Sequence, residues 1–361
     1  MIKRSNIFFF TKYESQGANT RYRSKIFFPF IEDSGFSCVQ LYFFSDRYLL
    51  KKYSRDTSCF IFLFSAVFRR ILDCIMVPRE SIVFIEYELI PFAPPVLEYF
   101  LKKKGCILVF DYDDAIISRY DNLRSSLARK FLGNKMAYLF ELSSHVICGN
   151  AYLRQAALEK GAHAVSVIPT TLDSDRYLPP FLFKNSPVVI GWIGSPTSSR
   201  YLFRLRNVFV CLSEEFDIEI RLIGANTCLF SDLSCVSHFQ WSEKTENDDI
   251  RWFDIGIMPL QYDGWAEGKC GFKILQYMAS YIPFVASPIG VNCDLVNNSK
   301  AGFVAGSDEE WFERLSTLIL SRNLRGAMGK NGRKFVEENY DVTIASRKLV
   351  SLLERCEIGR G

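Results

Sequence analysis

Histidine is scarce in this chain: three among 361 residues. His145, His163 and His238 fall inside or beside strand-like segments and read as structural, which leaves no Ser-His-Asp or Cys-His arrangement for a nucleophile. The 11 cysteines are an odd number with no Cys-x-x-Cys spacing, which argues against zinc and redox centres and suits a reducing cytosol. Cys228 and Cys235 approach each other in sequence, but His238 alone is too loose a partner set for a metal. No apolar run approaches the roughly 20 residues of a spanning helix. The longest, Cys59 to Phe68, stops at Arg69-Arg70. Ile7-Phe8-Phe9-Phe10, after Lys3-Arg4, is too short for a secretory leader and predicts a first strand. A strong net charge is also missing: 44 basic against 40 acidic residues gives +4, too little for nucleic-acid binding as the main business. The expectation is a cytoplasmic protein, at most peripheral on the inner membrane.

Apolar material is plentiful, with 32 Phe, 17 Tyr and 5 Trp, so disorder is excluded as the main state. The length favours two domains of ordinary size. Charge is uneven, with 16 basic against 10 acidic residues up to position 110. A basic first part suits anionic lipid, a phosphorylated acceptor or plain surface variation. The segment 60–68 with Arg69-Arg70 reads either as a surface lying on a membrane or as a buried helix.

Strand-like runs alternate with helical stretches along nearly the whole chain, the pattern of an α/β protein with parallel sheets. Strands are expected at 6–11, 36–44, 81–86, 106–110, 145–148 and 165–168, with helical periodicity at 94–103 and 123–142. The pattern restarts at 187–194 and continues through 218–224, 254–258, 283–286 and 302–305. Turn formers from Asp173 to Pro180, then Lys184-Asn185-Ser186-Pro187, mark a linker. This predicts two Rossmann-like domains, 1–180 and 181–340, around a central cleft, with a C-terminal helix in 341–361 that packs back on the first.

The sharpest local pattern is Gly268-Lys269-Cys270-Gly271-Phe272-Lys273-Ile274-Leu275-Gln276. A glycine turn enters a helix whose start, with its macrodipole and with Lys269 and Lys273 beside it, suits a diphosphate. Gln276 is a donor and acceptor for a ribose hydroxyl. A second glycine turn, Gly194-Ser195-Pro196-Thr197-Ser198-Ser199-Arg200, ends a strand at the carboxyl edge where open α/β sheets bind ligands. Arg200 there suits a forked contact to phosphate oxygens.

From Ser186 to Tyr340 the sequence resembles the donor domain of retaining GT-B glycosyltransferases of family 4, the group 1 type, with bacterial polysaccharide and lipopolysaccharide members. That family has a Gly-Arg-Leu-x-x-x-Lys loop and an E-x7-E motif. Here Gly194 and Arg200 keep the first spacing, with Ser195 at the Arg position. Gly268 and Gln276 stand at the two Glu positions, with Glu267 one residue away. In the first half, Gly17-Ala18-Asn19-Thr20-Arg21-Tyr22-Arg23 and Asp111-Tyr112-Asp113-Asp114-Ala115 are similar to the family's glycine loop and to an Asp-Asp-Ala variant of its active-site motif. The resemblance also puts Asn150 near the cleft floor.

The resemblance implies transfer of a sugar, with retention, from a nucleotide-diphosphate sugar to a glycan or lipid-linked acceptor hydroxyl. No cofactor and no metal are expected. Gly194, Ser195, Arg200, Lys269, Gly271, Phe272, Lys273 and Gln276 would bind the donor. Gly17, Arg21, Arg23 and Glu86, with Glu88 as a further candidate, would face the acceptor. Of Asp113 and Asp114, one would polarise the acceptor hydroxyl and the other would cap the next helix. Two alternatives remain open: a nucleotide-sugar epimerase of the same fold, and a non-catalytic scaffold subunit, which the missing Glu pair favours.

Overall fold

The computed structural model describes residues 4–53, 59–123, 125–181 and 187–358. Met1 to Lys3 and Lys184-Asn185-Ser186 of the expected linker lie outside the described residues, as does the side chain of Phe60. The chain divides into two compact units, one comprising residues 1–171 and 342–361, the other Leu172–Asp341.

Among the described residues the first unit holds a parallel sheet of β1 (Asn6–Tyr13), β2 (Ser37–Phe44), β3 (Ile82–Glu86), β4 (Ile107–Tyr112), β5 (His145–Cys148) and β6 (Val165–Val167), in the order β2-β1-β3-β4-β5-β6. Its central strands are apolar on both faces because helices cover both: Ile82, Val83, Phe84 and Ile85 are all buried. The β3–β4 register sets Glu86 opposite Asp111, so two carboxylates meet at the carboxyl edge. The helix Val342–Ile358 carries Val342, Ala345, Leu349, Leu352 and Leu353 on one face, packed with Ile7, Phe9, Ile31 and Phe84. Ser5 donates to Glu357, and Arg4 pairs with Glu354 at 2.8 Å.

The second unit holds β7 (Val188–Ile193), β8 (Ile218–Ile223), β9 (Val236–Phe239), β10 (Ile255–Met258), β11 (Phe284–Ala286) and β12 (Gly302–Val304), in the order β12-β11-β10-β7-β8-β9. Both sheets are parallel throughout, the α/β arrangement that the alternation predicts. The edge strand β9 was not anticipated, because it is four residues long, half exposed and without a strong apolar run.

Two local expectations are corrected. The helix expected over 123–142 is two, Ser126–Leu132 and Lys135–Leu142, separated at Gly133-Asn134. The apolar run from Cys59 does not stop at Arg69-Arg70: one helix continues to Met76. Both arginines turn inward instead. Arg70 donates to the carbonyls of Leu41 and Thr11, each at 2.9 Å, and Arg69 to those of Tyr42 and Phe43. Burial pulls the Arg70 guanidinium down to about 10.

The final helix is expected to be integral to the first unit's stability. Leu349→Ala should cost about 2–5 kcal/mol, the usual range for a buried leucine. The exposed Lys348→Ala should change stability by less than about 0.5 kcal/mol. Urea unfolding followed by tryptophan-independent far-UV circular dichroism checks both.

Candidate functional site

In the second unit, β7 runs through Trp192 and Ile193 into Gly194. The turn that follows is closed by serines: Ser195 N donates to Ser198 Oγ at 3.1 Å, and Ser198 Oγ donates to the Ser195 carbonyl at 3.0 Å. A 3-10 helix, Ser198–Leu205, then begins. The second turn precedes the helix Phe272–Ala279, whose N-cap Gly271 has φ +70°, a conformation that side chains oppose.

Lys273 brings the two turns together. A Cβ on Gly194 would fall 2.6 Å from the Trp192 ring and 2.9 Å from Lys273 Cε. Only glycine leaves space for both, and Lys273 Nζ lies 5.5 Å from the Trp192 ring centre. Arg200 is largely exposed on the first turn. Its Nη2 donates to Tyr201 Oη at 3.0 Å, Tyr201 donates to Asp263 at 3.2 Å, and Arg200 itself stands 3.7 Å from Asp263. Asp263 also accepts from the amides of Trp265 and Ala266, so it orders the loop leading to Gly268. Lys269 and Phe272 are half buried. Gln276 is buried, and its amide nitrogen donates to Tyr177 Oη at 3.4 Å.

In the first unit, the segment after β1 folds as Gly17, Ala18, Asn19 and a single π-helical turn, Thr20–Ser24. Arg23 and Glu86, expected to face an acceptor, are internal. Arg23 donates from Nε to Asp111 at 3.0 Å, from Nη2 to the other oxygen of Asp111, and from Nη1 to the Ile168 carbonyl at 2.6 Å. Glu86 accepts from Lys12 N at 2.9 Å, Thr20 Oγ1 at 3.0 Å and Ser24 Oγ at 2.6 Å. Its burial outweighs these donors and pushes the carboxyl up to about 7. Glu88 is also internal, accepting from Lys135 and Tyr120. Arg21 is half buried with its guanidinium over the Tyr22 ring at 4.8 Å.

Asp113 accepts from Asn19 Nδ2 at 2.6 Å and from the Tyr87 hydroxyl. Burial, then the neighbouring Asp113 and Asp114, holds the Tyr87 phenol well above its ordinary range, so it stays protonated and donates. Neither aspartate occupies the cap position of the next helix, Ile116–Asp121: that residue is Ala115, with no side-chain cap bond. Asn150 caps the helix Ala151–Glu159 by accepting from Leu153 N at 2.8 Å. Sequence reasoning missed Asn19 and Tyr87 as partners of Asp113, and Asp263 as a partner of Arg200. No local pattern signals a pairing between residues dozens of positions apart.

Residues 188–321 match the family described as Glycosyl transferases group 1, and they contain both basic turns. That stretch of the second unit is similar to a group 1 glycosyl transferase domain. Solved structures agree on the fold, that of the two-sheet GT-B enzymes. Sucrose-phosphate synthase from Thermosynechococcus elongatus superposes with a TM-score of 0.68 at 12% identity, over 98% of this chain and 99% of that one. WaaG, a glycosyltransferase involved in lipopolysaccharide biosynthesis, gives 0.68 at 12% identity over 96% and 99%. Anabaena HepE in complex with UDP and glucose gives 0.67 at 13% over 97% and 99%. A comparison with curated protein sequences gives no match.

The protein should register Glu86 in its pH dependence. Between about 4.5 and about 7 the unfolded chain has released this proton and the folded one has not, so the group's contribution to stability falls as pH rises through that window. Glu86→Gln removes the titration. The stability of the wild type relative to the variant should therefore decline from pH 4.5 to 7 in parallel urea unfolding series. A difference independent of pH would refute the assignment.

Proposed function

We propose that this protein is a glycosyltransferase that moves a sugar from a nucleotide-diphosphate donor to a hydroxyl of a glycan or lipid-linked acceptor, with retention of anomeric configuration, in the synthesis of a surface polysaccharide or lipopolysaccharide. The observation that carries the donor side is the packing of Lys273 against Gly194, which joins two basic turns at the carboxyl edge of one parallel sheet. The complexes of HepE with UDP and with UDP-glucose make a uridine nucleotide the first donor to test. The role printed for WaaG supports the choice of acceptor class.

In this reading the diphosphate lies beside Lys273, Arg200 and the positive end of the Phe272–Ala279 helix. The bond from the anomeric carbon to the phosphate oxygen breaks with its electron pair passing to the diphosphate. Fixed cations favour that charge more as it develops than before. The exposed Arg200–Asp263 pair is weak enough for a phosphate to compete for the guanidinium. Asp113, its carboxylate oriented by Asn19 and Tyr87, polarises the acceptor hydroxyl, whose oxygen bonds to the anomeric carbon as its proton passes to the departing diphosphate. Protein cations supply the neutralisation, and among the described residues no group of three or more His, Cys, Asp or Glu is arranged to hold a metal ion.

Arg200→Ala and Lys273→Ala should each weaken UDP binding by about 1.5–3 kcal/mol, the worth of a charge-assisted contact. Titration calorimetry on the folded variants measures this, and unchanged affinity in both would remove the diphosphate from this edge. Sugar transfer from a nucleotide-sugar donor should survive EDTA. In the same assay Asp113→Asn, which keeps the side chain's size, should lose roughly 100-fold or more in turnover. Full activity of that variant would move the acceptor chemistry elsewhere.

A further inference from the structure

A cavity of about 270 Å³ opens at the amino-terminal edge of the second sheet, opposite the edge that carries the two glycine turns. Val188 and Val189 line it from the start of β7, Glu219 from the start of β8, and Asp254 immediately precedes β10. One wall is aromatic: Trp252 is 41% exposed, and the Phe181 ring lies 5.0 Å away, tilted by 54°. The polar side chains around that wall are fixed in pairs. Arg221 forks onto Glu219, its Nε and Nη2 each donating at 3.0 Å, and its guanidinium lies 5.0 Å from the Trp252 ring centre. Arg325, on the helix Arg322–Asn339, donates from Nη1 to the carbonyls of Leu318 and Ile319 at 2.7 and 2.9 Å. Its Nη2 stands 3.6 Å from one oxygen of Asp254, whose other oxygen accepts from Val189 N at 3.0 Å. Walls held in this way are formed before anything enters, so little ordering opposes binding. The proposed transfer leaves this cavity unused.

We infer that the cavity is a second sugar site, which takes one pyranose ring of a glycan chain. A pyranose offers an apolar C–H face and a belt of hydroxyls that each donate and accept. The face stacks on Trp252, and the hydroxyls meet the two guanidinium–carboxylate pairs, which supply fixed donors and acceptors together. Charge selects against a phosphorylated ligand. Arg221 and Arg325 already stand beside carboxylates, which among the described lining residues leaves Arg322 as the surplus cation. The volume falls just below the roughly 300 Å³ at which ordinary ligand pockets begin, which suits a single ring rather than a nucleotide. The inference rests on the proposed transfer reaction for its purpose: a grip on the glycan raises the local concentration of acceptor ends.

The test uses the full chain and needs no sugar transfer. Saturation-transfer NMR is recorded with the methyl α-glycosides of glucose, mannose, galactose and N-acetylglucosamine, with UDP in excess to occupy the donor edge. At least one glycoside should take up saturation through its ring C–H protons. The same glycoside should shift the indole N–H signal of Trp252, assigned by its absence from the Trp252→Phe spectrum. Trp252→Ala should weaken binding about tenfold or more, because the apolar stacking area is gone, while Trp252→Phe, which keeps a ring, should stay within about threefold. UDP affinity of both variants, measured by calorimetry, should match the wild type and shows that the second unit is folded. No response to any glycoside, or a response unchanged in Trp252→Ala, overturns the inference. Inorganic phosphate shifting the Trp252 indole where no glycoside does makes the cavity an anion site and equally overturns it. Glycoside binding at Trp252 without any UDP binding would sink the donor reading and leave this one standing.

Discussion

A guanidinium buried at 2% exposure must have its charge answered nearby, and Arg23 finds its answer in Asp111 at the end of β4. The same side chain reaches the Ile168 carbonyl just beyond β6, so one residue ties the segment after β1 to two other strand ends. Glu86, opposite Asp111 across the β3–β4 ladder, takes the remaining donors of that segment, Thr20 and Ser24. Desolvating such groups is expensive, and a buried pair of this kind contributes modest stability but is costly to break, by about 3–5 kcal/mol when one partner is removed. Its consequence is positional. With residues 20–24 pinned from below, Asn19 is held where its amide reaches Asp113, and Tyr87, next to Glu86 in the chain, reaches the same carboxylate.

The second unit reaches the opposite electrostatic arrangement by omission of a side chain. Because Gly194 has no Cβ, the aliphatic part of Lys273 lies against the end of β7 beside Trp192. In the first unit Arg23, Asp111 and Glu86 are satisfied internally and at short range. Arg200, by contrast, is mostly exposed, and its partner Asp263 lies 3.7 Å away and is itself exposed. An ion pair in high dielectric is worth at most about 1 kcal/mol, less than a forked contact to phosphate offers. Rigid placement without strong internal neutralisation is what a reusable anion site requires.

Most of the strand ladder was legible because central parallel strands are apolar on both faces and stand out as runs: β3, β4 and β10 are of this kind. The edge strand β9 carries half-exposed residues and leaves no such run. The break at Gly133-Asn134 was hidden by apolar periodicity that persists across it. At the site, the glycine turns and their cations could be read, because turn chemistry and charge are local properties. The fate of Arg23, Glu86 and Glu88 could not. Whether a charged residue at a strand end faces a ligand or a buried partner depends on which distant residue the topology sets opposite it. Asp111 for Arg23 and Lys135 for Glu88 are such partners.

The departures at Gly268 and Gln276 take on a physical meaning in this setting. Gln276 sits at 4% exposure with its amide on Tyr177. A carboxylate at this depth would need a donor or cation to offset its desolvation, and the neutral amide avoids that requirement. The nearest carboxylate in the turn is Glu267, and it is engaged at the surface, where it raises the Tyr262 phenol through a hydrogen bond. The acidic half of the motif is thus displaced outward, while the helix entry, the left-handed Gly271 and Lys273 remain. In the proposed reaction these surviving parts face the charge that changes most, the departing diphosphate. The missing carboxylates would act on uncharged sugar and ribose hydroxyls. Loss at those positions therefore bears first on which sugar is held, and only second on whether the bond to phosphate breaks.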